Sequence, residues 1–273
     1  MVRRGLAPSR EAAQRAVFDG RVTVAGAPAD KPARLVDAGE AVAVRAPTQE
    51  WVSRGGHKLD AALAHFNVAV AGRRCLDAGA STGGFTDVLL RRGAASVWSV
   101  DVGRGQLHDR LRHDPRVIAK DRTNVRLVTL DDLGGEPFDV VVADLSFISL
   151  RTVAPVLGHD LAATDADLVW LVKPQFEAGR RLVASGRGVI RDPGVWEETV
   201  RGVARALEEH GAAIMGAMPS PLRGADGNVE FLLWSRAHRA GGSSSAVDAL
   251  ISVAVDEVGG VADRPDAGPE ARP

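Results

Sequence analysis

Cysteine, lysine and long apolar runs are what this chain of 273 residues has least of. Its single cysteine, Cys75, excludes an internal disulfide and a cysteine-built zinc site, and it fits a reducing compartment such as the cytosol. No apolar stretch approaches the roughly 18–20 residues needed to span a bilayer. Met1-Val2-Arg3-Arg4-Gly5 has charge with no apolar segment behind it, so the start does not read as a secretory signal. The seven histidines are scattered without ligand spacing, which argues against a metal site. Among the 34 basic residues only Lys31, Lys58, Lys120 and Lys173 are lysine. Where arginine supplies the other cations, each lysine raises a chemical question: an amine can be tuned to lose its proton, and a guanidinium cannot.

What is present is ordinary for a soluble globular chain, with 45% hydrophobic and 25% charged residues. The length suits one large domain, or a large and a small one. Charge is unevenly placed. Residues 1–60 hold 10 basic and 7 acidic side chains, and residues 241–273 hold 2 and 6. A basic front and an acidic tail suggest separate parts, the front either facing a polyanion or simply solvated.

The first 46 residues predict a small α+β unit. Ser9 can cap a helix over 10–18 that Gly20 ends. Residues 21–24 and 41–44 read as strands, with a turn at Ala25-Gly26-Ala27-Pro28. Residues 47–53 read as a linker with Trp51 as an aromatic anchor. From 54 to 238, after a helix over 56–65, short apolar strands alternate with amphipathic helices. The strands are predicted at 74–77, 96–101, 116–119, 138–144, 168–173, 213–217 and 229–234. The helices are predicted at 84–92, 105–112, 149–157 and 195–210. This is an α/β pattern: a mostly parallel sheet covered on both faces, ending in an antiparallel edge hairpin. The stretch 239–273 reads as a flexible linker around Gly241–Ser245, a short helix over 246–258 and an acidic end without structure.

Leu76-Asp77-Ala78-Gly79-Ala80-Ser81-Thr82-Gly83-Gly84-Phe85 leaves the first strand of this array and opens a helix. Such a Gly-rich turn lets a ligand approach the backbone, and Asp101, at the end of the next strand, can accept hydrogen bonds from a ribose. The glycine spacing is not that of a dinucleotide loop, and no lysine waits for phosphates. Asp77 would repel a pyrophosphate and attract a sulfonium or ammonium, so the loop suits S-adenosylmethionine better than a dinucleotide or ATP. The plainer reading is an ordinary strand–turn–helix connection.

Asp144 and Lys173 end two neighbouring predicted strands, at the carboxyl edge where open α/β sheets bind ligands. Glu230 is a charge at the start of an apolar strand and needs a partner or a wet cleft. Lys58 stands where the linker meets the second unit. A ribose hydroxyl is a very weak acid, so methylating it requires in-line placement and help in removing the proton. A lysine can give that help if a second cation or desolvation disfavours its charge, with carboxylates to orient it. The alternative is that each of the four belongs to a surface ion pair.

Ser53-Arg54-Gly55-Gly56-His57-Lys58-Leu59, the 76–85 loop, Asp101-Val102-Gly103-Arg104-Gly105-Gln106-Leu107, Ala143-Asp144-Leu145-Ser146-Phe147-Ile148-Ser149-Leu150 and Val172-Lys173-Pro174-Gln175-Phe176-Glu177 together closely resemble the TlyA (hemolysin A) family. The resemblance runs from about residue 2 to 238. It implies a Rossmann-like class I methyltransferase of FtsJ type, with a seven-stranded mostly parallel sheet, behind a small N-terminal S4-like RNA-binding domain. It implies a cytoplasmic enzyme that uses S-adenosylmethionine to methylate the 2′-hydroxyl of cytidine in ribosomal RNA, with ribosomal subunits as partners and no membrane or metal. The family's catalytic tetrad falls on Lys58, Asp144, Lys173 and Glu230, with Lys173 activating the hydroxyl. The cofactor set becomes Asp77, Gly79, Ser81, Thr82, Gly83, Gly84, Phe85, Asp101, Val102, Asp121 and Asp144, with Asp121-Arg122-Thr123-Asn124 beside the adenosine. Arg3, Arg4, Arg10, Arg15, Arg21, Arg54 and His57 are RNA-binding candidates, and Arg187 and Arg191 could hold substrate backbone. The start at Met1-Val2-Arg3-Arg4-Gly5-Leu6 implies an S4 unit shortened at its front, and Glu50 stands where the family often has a small residue. Two other classes remain in view: an RNA-binding protein with a vestigial Rossmann part, and a membrane-lytic protein.

Overall fold

In the computed structural model of the protein, the described residues are 1–7, 9–18, 21–29, 31–37, 39–45, 51–179, 188–224 and 227–262. The chain divides into two compact units, Met1–Glu50 and Trp51–Pro273. The expected linker therefore splits: residues 47–50 lie outside the described set, while Trp51 is buried in the second unit's core.

The first unit carries a 3₁₀ turn over Val2–Arg4, helix α1 (Arg10–Phe18) and a three-stranded sheet. Ser9 accepts the Ala12 N–H at 3.1 Å, so the predicted cap forms. The expected Gly20 stop lies outside the described residues. Strand β1 (Val22–Val24) is central, antiparallel to both β2 (Ala27–Pro28) and β3 (Val42–Val44). β2 was not expected. Ala25 and Gly26, both at positive φ, reverse the chain tightly enough for Val24 to pair with Ala27, inside what read as a turn. A small core of Ala16, Val17, Val22, Val24 and Ala29 fills the unit.

The second unit opens with α2 (Gly55–His65) and builds a sheet in the order β6-β5-β4-β7-β8-β10-β9. The strands are β4 (Arg74–Ala78), β5 (Ser96–Val100), β6 (Val117–Lys120), β7 (Phe138–Ala143), β8 (Ala162–Val172), β9 (Ala213–Pro219) and β10 (Phe231–Arg236). β6 through β8 pair in parallel, and β10 is antiparallel to both β8 and β9. Leu59, Leu63, Val88 and Leu89 lie in one core; Val153, Leu157, Val200 and Leu207 lie in the other. The central strands read as nearly continuous apolar runs because both their faces are covered.

Among the described residues the further helices of the unit are α3 (Gly84–Arg91), α4 (Asp109–Arg112), α5 (Leu150–Pro155), α6 (Pro174–Glu177), α7 (Pro193–Glu209) and α8 (Ser244–Ala262). Three differ instructively from expectation. The helix predicted over 105–112 shrinks to α4, because residues ahead of it form a loop held by Asp101 and Asp121. α5 gives way to a π turn over Val156–Asp160 after Pro155, which has no N–H to continue the ladder. α8 starts inside the expected flexible linker and buries Val247, Ile251, Ala254 and Val255. β8 also begins six residues earlier than expected, at Ala162 rather than Leu168. Asp167 broke the apolar pattern, yet its buried carboxylate accepts from Arg73 at 2.6 Å, Trp234 Nε1 at 2.9 Å and Arg236 at 3.3 Å. Among the described residues no helix is long and apolar enough to cross a membrane.

Candidate active site

β4 is flanked by β5 on one side and β7 on the other, so the strand order reverses there and opens a crevice at the carboxyl ends. The loop leaving β4 lies in that crevice. Gly79 has φ 87°, and a β-carbon there would collide with the Asp144 carbonyl oxygen and Leu145. Gly83 has φ 96°, and a β-carbon would strike Leu111. These two positions demand glycine, and through them the loop packs against the next two ligand-edge segments.

Around the loop stand the expected cofactor residues. Asp101, just past β5, accepts the Ser81 N–H at 2.8 Å with one oxygen and the Gly103 N–H at 2.6 Å with the other. Asp121 accepts the Gly105 N–H at 2.9 Å, which holds its carboxyl below the usual range, helped by Arg112 and Arg104. Val102 is exposed, while Phe85 is buried at the start of α3. Asp77 is fully buried on β4. One oxygen accepts the Thr86 hydroxyl at 2.6 Å, and the other has no hydrogen-bond partner. Burial pushes this carboxyl up to about 7; Thr86 opposes the shift, and the nearby Asp144 and Asp101 charges add to it. Thr86 is held in turn by Ser99 at 2.8 Å.

The four candidate catalytic side chains form two ion pairs. Asp144 follows β7 and Lys173 follows β8, adjacent parallel strands, and Lys173 Nζ lies 2.6 Å from Asp144 Oδ1. Lys173 also donates to Ser146 Oγ at 3.0 Å. Lys58, on the first turns of α2, pairs with Glu230, which stands immediately before β10; both are buried. Ser53, Gly55, Lys58, Gly79, Ala80, Ser81, Thr82, Gly84, Phe85 and Asp144 line one cleft. Thus one member of each pair faces the same space as the loop. The geometry offers an amine, a second cation and two carboxylates beside a glycine cradle. That set can bind a cationic donor and take a proton from a weakly acidic hydroxyl.

The RNA-binding candidates are placed less tellingly. Arg3 and Arg10 are exposed on the first unit. Arg4 donates to the Glu40 and Asp37 carbonyls at 2.7 and 2.8 Å, which ties down the turn before β3. Arg21 is half-buried, its backbone paired with Arg45. On the second unit Arg54 donates to the Arg223 carbonyl at 3.2 Å, and His57 is exposed on α2. Arg191 is exposed; the Arg15 side chain and Arg187 lie outside the described set. Sequence reasoning missed Ser146, Thr86 and Ser99, hydroxyls in a quoted motif, on α3 and in a core strand respectively, which no spacing rule distinguishes. It also missed Glu177.

Comparison with known proteins gives the same outline. The family model for FtsJ-like methyltransferases matches residues 51–237, and the S4 domain model matches residues 1–42. The 16S/23S rRNA (cytidine-2′-O)-methyltransferase TlyA of Mycobacterium tuberculosis is 52% identical over 258 residues, covering 92% of this chain and 95% of that one. An rRNA methyltransferase candidate of Bacillus subtilis, YqxC, is 42% identical over 85% of this chain and 82% of its own. A solved structure of a hemolysin candidate from Streptococcus thermophilus superposes with a TM-score of 0.75 at 34% identity, covering 95% of this chain and 96% of that chain. With an S4 match ahead of a Rossmann-like methyltransferase fold, the chain belongs to the TlyA family of FtsJ-like methyltransferases.

Proposed function

We propose that the protein transfers a methyl group from S-adenosylmethionine to the ribose 2′-hydroxyl of cytidine in ribosomal RNA. The observation that carries this reading is the pair of ion pairs, Lys173–Asp144 and Lys58–Glu230, meeting at the glycine loop's cleft. The Mycobacterium tuberculosis relative's name supports cytidine and ribosomal RNA as the target.

The residues fit such a donor. The unpartnered oxygen of Asp77 is an acceptor behind the loop whose ionisation a cationic donor would favour, and Gly79 and Gly83 leave the backbone close to whatever sits there. Each Asp101 oxygen accepts one N–H and keeps capacity for a ribose hydroxyl. Asp121 adds a second acceptor nearby, and Val102 offers an exposed apolar surface to an adenine ring. When bound, S-adenosylmethionine supplies an electrophilic methyl group.

The chain's own side chains do the rest. Asp144 and Ser146 hold the Lys173 nitrogen in one place. Lys173, in its neutral form, would accept the proton as the 2′-oxygen bonds to the methyl carbon and the methyl–sulfur bond breaks with its electron pair left on sulfur, and the Asp144 carboxylate pairs with the ammonium that results, the charged pair seen here. Lys58, kept in position by Glu230, sets a positive charge against the charge developing on that oxygen. The test is methyl transfer to ribosomal subunits from a strain lacking 2′-O-methylcytidine, followed by mapping of the product. Failure to modify any cytidine in either subunit would sink the proposal.

A further inference from the structure

Asp144 and Lys173 belong to two segments that leave adjacent strands side by side, and a spacing of 2.6 Å between their charged atoms must be held by something beyond the strands. The segments touch again at their far ends. Glu177, the last residue of α6, is buried, and its carboxylate reaches across to the start of α5. It accepts the Leu150 N–H at 2.7 Å and the Ser149 hydroxyl at 2.5 Å, and Arg151 Nε lies 3.4 Å away. Arg151 returns along the same path, donating to the Glu177 carbonyl at 2.9 Å. Between the two ends, the Phe147 and Phe176 rings lie 5.1 Å apart.

We infer that Glu177 is a positioning residue that clasps the Asp144 and Lys173 segments together and so sets the spacing of the proton-accepting pair. Residues 144–150 and 173–177 form a short ladder. Asp144–Lys173 is the rung at the strand ends, and Glu177–Ser149–Leu150 is the rung at the helix ends. A chain that leaves a strand is anchored at one end only. A second anchor removes the hinge freedom that would let Lys173 swing from the reacting hydroxyl. Glu177 is also suited to this by burial: a carboxylate withdrawn from water stays there only while its partners satisfy it, so the clasp does not stand half open.

The inference rests on the reading of Lys173 as the proton acceptor. The experiment compares Glu177→Ala, Glu177→Gln and Ser149→Ala with the wild type in steady-state methylation of ribosomal subunits. S-adenosylmethionine affinity is measured separately by titration calorimetry, and Lys173→Ala is run in parallel. For Glu177→Ala, kcat is expected to fall about 10- to 100-fold, the scale of a misplaced reacting group, with KM and donor affinity within about twofold. Glu177→Gln, which keeps an acceptor for Leu150, recovers part of the rate, and Ser149→Ala loses less than Glu177→Ala. An unchanged kcat in Glu177→Ala overturns the clasp. So does a fall matched by an equal loss of donor affinity, because that marks general disorder of the site. Should Glu177→Ala fail to fold, the ordering of Ser149→Ala and Glu177→Gln below the wild type in kcat alone decides the matter. A fully active Lys173→Ala would overturn the reading beneath the clasp instead, so the two failures are distinct.

Discussion

At the scale of single residues, Lys173 makes the sharpest demand, because the chain uses arginine nearly everywhere else. Lys173→Arg keeps the charge beside Asp144 but cannot accept a proton, so methyl transfer to ribosomal subunits is expected to be as low as in Lys173→Ala. Rates near wild type in the arginine variant would assign Lys173 a purely electrostatic part. Asp77 makes a different prediction. Its carboxyl, at about 7 when folded, binds a proton more tightly than in the unfolded chain. Its contribution to stability is therefore fully present below the ordinary carboxylate range, declines as pH rises to about 7, and is flat above it. Asp77→Asn should remove that decline. The variant is expected to melt with wild type near pH 4 and above it at pH 8, by about the few kcal/mol such a shift represents, while binding the cofactor less well. Parallel melting curves across that range would exclude the idea. The buried Lys58–Glu230 pair can be tested by stability alone. Removing one partner, as in Lys58→Ala, should cost about 3–5 kcal/mol in urea unfolding, and the double change Lys58→Met with Glu230→Leu much less.

At the scale of elements, the strands and their loops were largely legible, because period and apolar content report burial directly. The sequence places Asp144 and Lys173 at the ends of consecutive strands, which prove adjacent in the sheet, and the glycine loop announces a close backbone approach. Illegible were features that depend on a partner far along the chain. Asp167 hid the first half of β8, since only Arg73, Trp234 and Arg236 make its burial tolerable. Glu177 closes a quoted motif, yet its partners Ser149 and Leu150 lie in another one. The pairing of Lys58 with Glu230 spans most of the second unit, and no local pattern encodes it. α8 was underestimated because its Gly-Ser-rich approach looks like a linker, while its inner face carries Val247, Ile251, Ala254 and Val255. That helix lies against α7 and β9, the edge strand of the sheet, whereas the glycine loop leaves the central strand β4. Ile251→Ala should therefore lower the urea midpoint, corresponding to about 2–5 kcal/mol, with S-adenosylmethionine affinity unaltered. Loss of donor binding in a folded Ile251→Ala protein would mean that α8 does more than brace the sheet.

At the scale of the whole molecule, the division into two compact units lets RNA binding and chemistry be probed apart. The first unit, Met1–Glu50, holds eight basic and six acidic residues, a modest excess, so its hold on RNA should come from few phosphates. Affinity for ribosomal RNA should fall with salt, each neutralised phosphate contributing a slope of roughly 0.7–0.9 in log–log form. Arg3→Ala and Arg10→Ala should each reduce that slope by about one and leave kcat at saturating RNA untouched. An unchanged slope in both would place the electrostatic footprint elsewhere. The scarcity of lysine finally makes the protein unusually simple to watch. Reductive ¹³C-methylation of its amines would give four side-chain resonances and one from the N-terminus. Lys120, whose nitrogen lies 5.4 Å from the Trp98 ring centre, should be displaced by the ring current. Lys31 would report the first unit from solvent, Lys58 would stand as a spectroscopic probe lining the cleft, and Lys173 would report on it through its pair with Asp144.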